Sequence, residues 1–222
     1  MSLKTSPVSI SATSDLYGHL PDIYPCDLVV VCGDIFPGAM ERDSEAQGQW
    51  FREMFLPWVG RTASGKVILV PGNHDLWIKE NILELRETYN PSSEHKLVLL
   101  CDEGMDFRGL KIYGRVSGLI PQQLDLLLTH DVPASCGGLG VSGIDGIDYG
   151  SKELRTAIES RNIRYLIGGH ILQPRSREFI LDHDNLRTKM FNVSHCDNDK
   201  QPLYPPQYMV INPTFSEFYN NR

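Results

Sequence analysis

The chain has 222 residues, 41% of them hydrophobic and 22% charged, with a formal net charge of −7. That length supports one well-buried domain, taken as residues 1–222, and is short for two. The acidic balance argues against binding to large nucleic acids or anionic membranes, and no apolar run approaches the ~20 residues that cross a bilayer.

The first fifteen residues, MSLKTSPVSISATSD, lack a long apolar stretch, so no secretory leader is expected. Five scattered cysteines without CxxC spacing agree with a reducing cytoplasm. Pro7–Thr13 reads as a buried strand running into Ser14 and Asp15, and Leu28–Cys32 as a second running into Gly33 and Asp34. A loop over Pro37–Ser44 precedes a helix over Gln47–Trp58, whose Trp50, Phe51, Met54 and Phe55 fall at helical spacing. Lys66–Val70 is a third strand and runs into Pro71-Gly72-Asn73-His74-Asp75. Leu97–Leu100 and Leu110–Tyr113 read as strands, as does Leu124–Thr129, which delivers His130. The glycine-rich Cys136–Gly150 is a loop that either covers a substrate or merely connects. Ser151–Arg161 is a helix with Ser151 at its start. The strand Tyr165–Ile167 leads to Gly168-Gly169-His170, Thr188–Val193 and Tyr208–Asn212 are further strands, and Asp197–Pro206 is a polar loop. Strand alternating with helix implies an α/β fold, and the strand-rich second half adds a partly antiparallel second sheet.

Five strand ends therefore carry Asp15, Asp34, Asn73 with His74, His130, and His170. In open α/β sheets ligands collect beyond the carboxyl ends of the strands. Carboxylate, amide and imidazole together suit Mn, Fe, Zn or Ni better than calcium or a thiolate zinc site. A carboxylate such as Asp34 can bridge two ions, which together clamp a phosphate and activate water.

These blocks, Asp15 in SDLYG, Gly33-Asp34, Gly72-Asn73-His74-Asp75, His130 in LLLTHDVP and Gly169-His170 in GGHIL, resemble the calcineurin-like metallophosphoesterases in order and context. The small phosphodiesterase-type members are the nearest in style. The resemblance implies two mixed β-sheets packed as a sandwich between helices, and hydrolysis of a small phosphomonoester or phosphodiester, nucleotide types included, by metal-activated water. It implies Asp15 on a first metal, Asp34 bridging, and Asn73, His130 and His170 on a second. His74 would act near the leaving oxygen, with Asp75 orienting it. Two family histidines are absent, both from the first metal: D-x-H appears here as Asp15-Leu16-Tyr17, and G-H-x-H as Gly169-His170-Ile171-Leu172. Tyr17 either supplies a phenolate ligand or only packs and hydrogen-bonds. His19 is a register-shifted substitute or a solvated loop histidine, and Leu172 cannot coordinate. The expectation is one tight metal and a weak or empty neighbour. The alternative is a degenerate member that binds metal or a phosphorylated ligand without turnover. His95 and His183 are expected at the surface or in structural roles. His195 lies at a strand end that borders the site in some family members. Arg115 and Arg175 can bind phosphate bidentately, although a surface position is the default for each.

Overall fold

The computed structural model describes residues 6–90, 95–184 and 186–212. Residues 1–5, 91–94, 185 and 213–222 lie outside them.

Two mixed sheets face each other. The first has the order β11-β1-β2-β3-β4, formed by β1 (Val8–Thr13), β2 (Cys26–Val31), β3 (Ser64–Leu69), β4 (Leu97–Leu99) and β11 (Gln207–Ile211). The second has the order β5-β6-β7-β8-β10-β9. It comprises β5 (Glu103–Phe107), β6 (Leu110–Arg115), β7 (Gln123–Thr129), β8 (Asn162–Gly168), β9 (Glu178–His183) and β10 (Leu186–Asn192). The strands β1 to β4 are parallel, as are β6, β7, β8 and β10, while β11, β5 and β9 are antiparallel additions.

Side chains alternate across each strand, so a strand covered on both faces must be apolar at every position. The Leu28–Val31 stretch of β2 obeys this: Leu28 and Val30 pack between the sheets, whereas Val29 and Val31 face the helices. The layer between the sheets joins Val8, Ile10, Ile68 and Val70 to Leu110, Ile112, Leu126, Leu128 and Ile167. Outside the first sheet lie Trp50, Phe51, Phe55, Trp58, Ile78 and Leu85, from α1 (Ser44–Trp50), a π-helical turn (Phe51–Phe55), α2 (Leu56–Arg61), α3 (Leu76–Glu80) and α4 (Ile82–Tyr89). Outside the second sheet, Leu154 and Ile158 of α5 (Lys152–Glu159) cover Leu127 and Leu166. The result is the expected α-β-β-α sandwich.

Local chemistry explains most boundaries. Ser151 Oγ caps α5 by accepting from Leu154 N at 3.1 Å, and Asp43 caps α1 through Ala46 N at 3.0 Å. Pro57 cannot donate an amide within the helix, and the π-helical turn directly before it absorbs the interruption. Several expectations need correction. The Pro37–Ser44 loop contains a 3₁₀ turn over Gly38–Met40, and α1 begins at Ser44. The helices α3 and α4 and the strands β5 and β9 were not anticipated. The strands β5 and β9 are edge strands with solvent-facing positions, so their residues lack a buried strand's continuous apolarity. His183 is the last residue of β9, and its Nε2 lies 3.3 Å from Thr188 Oγ1.

Candidate metal centre

The carboxyl ends of β1, β2, β3, β7, β8 and β10 meet at one rim, and there the backbone leaves its ordinary range. Asp15, Asp34 and His170 have φ of 54°, 55° and 68°, and Tyr17 has 44°. Left-handed backbone costs a non-glycine residue about 1–3 kcal/mol when the surroundings impose it, and such strain clusters at functional sites. Here it turns three polar side chains from the strand ends toward one point.

That point lies beside His130. Its Nδ1 is 2.7 Å from the Cys32 carbonyl, which can only accept, so Nδ1 carries a proton and Nε2 faces the site. Around Nε2 stand Asn73 Oδ1 at 2.8 Å, Asp34 Oδ2 at 3.2 Å and His170 Nδ1 at 3.3 Å. Metal–ligand bonds of about 2.1 Å set neighbouring ligand atoms about 3 Å apart, and each of these three donors lies at that distance from Nε2. Asp15, Asp34 and His130, all buried, also offer ligand atoms within 4.8 Å of one another.

Asp15 contributes a second indication. Its Oδ2 accepts from Ser14 Oγ, from Ser194 Oγ at 2.8 Å and from His170 N at 2.9 Å. Its Oδ1 is buried without a hydrogen-bond partner among the described residues. A buried carboxylate oxygen left unpaired costs free energy unless a cation or water meets it, so the donor set fits a metal.

The electrostatics follow from burial and crowding. Burial first, then the neighbouring Asp34 charge, raises Asp15 against the lowering effect of His130. Burial also pushes Asp34 up, but the His130 imidazolium and the hydrogen bonds from His130 and the His74 amide carry it down to about 2. Burial lowers His130, yet Asp34 and then Asp15 override it and raise it to about 10. His170 is lowered by burial and by the adjacent His130.

The remaining expected residues are placed as follows. Tyr17 Oη lies 3.4 Å from Asp34 Oδ2, and burial followed by the Asp15 and Asp34 charges raises its phenol far above the ordinary range. His74 presents Nε2 3.9 Å from Asp34 Oδ2, and its Nδ1 sits 2.5 Å from Glu41 Oε1. Glu41 therefore orients His74, and the expectation that Asp75 does so is corrected. The buried Asp75 carboxylate instead accepts from Gly72 N and Asp34 N at 2.8 Å and from Ile35 N at 2.9 Å. It fastens the β2 turn to the β3 turn, and burial beside Asp34 lifts it to about 6. His19 Nε2 lies 3.0 Å from the Lys200 carbonyl, and His195 Nδ1 lies 2.6 Å from the Tyr204 carbonyl. Arg175 is exposed, while Arg115, at 5% exposure, is buried against expectation.

The motif glycines are set by close approach. A Cβ on Gly72 would overlap Asp34 Oδ1, and one on Gly169 would overlap Ser14 Oγ and Asp15 Oδ2. Gly169→Ala is expected to lower stability by about 1–3 kcal/mol, the range for overpacking, and to weaken metal binding in parallel. Denaturant midpoints and metal titration check this; an unchanged midpoint would show that the rim is looser than described.

A cavity of about 410 Å³ adjoins the centre, with Tyr17, His74, His170 and Leu172 in its floor and Ser142, Ile144, Asp145 and Tyr149 in its roof. The roof belongs to the glycine-rich loop, pinned by Gly143 N to Gln173 O at 2.7 Å and by Arg175 N to Val141 O at 2.9 Å. Glu41, Ser14, Ser194 and the cavity residues Gln173 and Asn198 were not identified from sequence. Isolated Ser, Glu and amide residues in polar stretches carry no local signal.

The calcineurin-like phosphoesterase family profile matches residues 7–174. No curated protein matches the chain. One crystal structure superposes with a TM-score of 0.54 at 14% identity, over 94% of this chain and 100% of its own. The crystal structure of TT1561 of Thermus thermophilus superposes with a TM-score of 0.50 at 13% identity, again over 94% and 100%. At these identities the likeness is one of fold.

Proposed function

The chain belongs to the calcineurin-like phosphoesterase family, and we propose that it hydrolyses a small phosphomonoester or phosphodiester at a divalent transition metal, Mn, Fe, Zn or Ni. The observation that carries this reading is the convergence of Asn73, Asp34 and His170 on His130 Nε2 within 3.3 Å. Asp34, Asn73, His130 and His170 would hold the ion, with Asp15 and its unpaired Oδ1 alongside. Held by these residues, an ion would lower the pKa of a bound water to about 7 and stabilise charge on phosphoryl oxygens. His74, steadied by Glu41, turns Nε2 toward the centre and gives a proton to the departing oxygen. Asp75 keeps the two turns in register. The cavity beside His74 and His170 accommodates an organic group and supports a nucleotide-type ester within this class. Residues 1–222 act as one domain in this reading.

With Tyr17 and Leu172 where the family has histidines, the first site is short of ligands. Purified protein is expected to hold one tightly bound ion per chain, measured by metal analysis and anomalous scattering. A panel of phosphomonoesters and phosphodiesters with each metal should then show turnover. Metal binding without turnover across the panel would favour the degenerate, binding-only reading. Two ions of equal affinity would overturn the one-site assignment.

A further inference from the structure

A second, smaller cleft of about 100 Å³ adjoins the same centre through Asn73 and His130, and shares no lining residue with the cavity beside His74. Its walls include Lys79, Arg115, Thr129 and Asp131. Arg115 ends β6, and its side chain is only 6% exposed. Its Nε donates to the Gly118 carbonyl at 3.3 Å and its Nη2 pairs with Glu153 at 2.8 Å. Its Nη1 makes no hydrogen bond among the described residues. Glu153 is 80% exposed, so its charge is well solvated and it anchors the guanidinium more than it neutralises it. Lys79 Nζ donates to the Asn73 carbonyl at 3.1 Å, which uses one of its three protons. Asp131 is the carboxylate among these lining residues, beside the two cationic side chains of Lys79 and Arg115.

A guanidinium is costly to bury unless its donors are used. Two of its three nitrogens are fixed, and Arg115 lines the cleft with Nη1 uncommitted, a preorganised donor for an anionic oxygen. The volume of about 100 Å³ suits a phosphate-sized group. We propose that this cleft is an anion subsite, which takes a second phosphate of the substrate whose scissile phosphate lies at Asn73 and His130. This rests on the phosphoesterase reading, and it narrows the substrate to esters bearing two neighbouring anionic groups.

The test is calorimetric titration of the manganese-loaded protein with inorganic phosphate and with pyrophosphate, each against matched manganese buffer. Pyrophosphate is expected to bind roughly 10-fold or more tighter than phosphate, the scale of one charge-assisted hydrogen bond. Arg115→Ala should abolish that preference and leave phosphate affinity unchanged. Glu153→Gln, a surface change that keeps an acceptor for Nη2 and removes the paired negative charge, should tighten pyrophosphate several-fold and phosphate less. That gain decides the matter even where Arg115→Ala does not fold, because loss of a merely structural contact would not strengthen an anion. Equal affinities in the parent protein, or no gain in Glu153→Gln, overturn the subsite. Turnover on the ester panel without a pyrophosphate preference sinks the subsite alone. A preference that obeys both variants in a protein with no turnover sinks the phosphoesterase reading alone.

Discussion

Asp34→Ala is expected to lose metal and activity together. Asp34 Oδ2 lies 3.2 Å from His130 Nε2, and Asp34 Oδ1 accepts the His74 amide at 2.9 Å, so one residue serves the proposed ion and the turn that carries Asn73. It is also held charged, at about 2, in a 1% exposed position where an anion is retained only with a cation beside it. A metal supplies several kcal/mol of charge stabilisation to a phosphoryl transition state, so kcat/KM should fall on the order of 10³-fold or more at about 1.4 kcal/mol per decade. Asp34→Asn separates shape from charge. It preserves an acceptor for the His74 amide and should still fail to hold the ion. Metal content by mass spectrometry, beside circular dichroism to verify folding, reads the result. An Asp34→Asn protein with a full metal complement and ordinary turnover would remove Asp34 from the centre.

His74→Ala should split the two properties that Asp34 joins. The His74 ring stands 3.9 Å from Asp34 Oδ2 through Nε2 and is clasped at Nδ1 by Glu41 at 2.5 Å, outside the tight group around His130. The expected outcome is unchanged metal stoichiometry with kcat lowered by about 10²–10⁴-fold, the range for a positioned proton donor. The loss should grow as the leaving group becomes a poorer one, since a departing alkoxide needs the proton more than a nitrophenolate does. Glu41→Gln should show the same dependence at smaller amplitude, because it loosens the ring without removing it. Equal losses on good and poor leaving groups would deny His74 a role in protonation. Release of the metal would make it a ligand instead.

The two halves of this protein were legible to different degrees. The β1, β2, β3, β7 and β8 ends could be read because each strand closes on a run of mostly small or apolar buried residues, which leaves the metal-competent side chain after it conspicuous. Asp15, Asp34, Asn73, His130 and His170 stand out against that background, as do the glycines that let them approach. The edge strands β5 and β9 and the helices α3 and α4 were not legible, since a half-exposed element mixes polar and apolar residues much as a loop does.

Sequence alone determined the two-sheet fold, the order of the polar strand ends and the two missing histidines. Only the tertiary structure decided the partners. Asp75 follows His74 directly, yet its carboxylate is taken by backbone amides from two turns. Glu41 is thirty-three positions away and meets the His74 ring. Arg115 ends a strand like any surface arginine, yet it is buried and pairs with Glu153 of α5. The physical reason is common to all three. Strand periodicity is local and is written into consecutive residues, whereas a side-chain hydrogen bond depends on which distant backbone segments the packed core brings within about 3 Å.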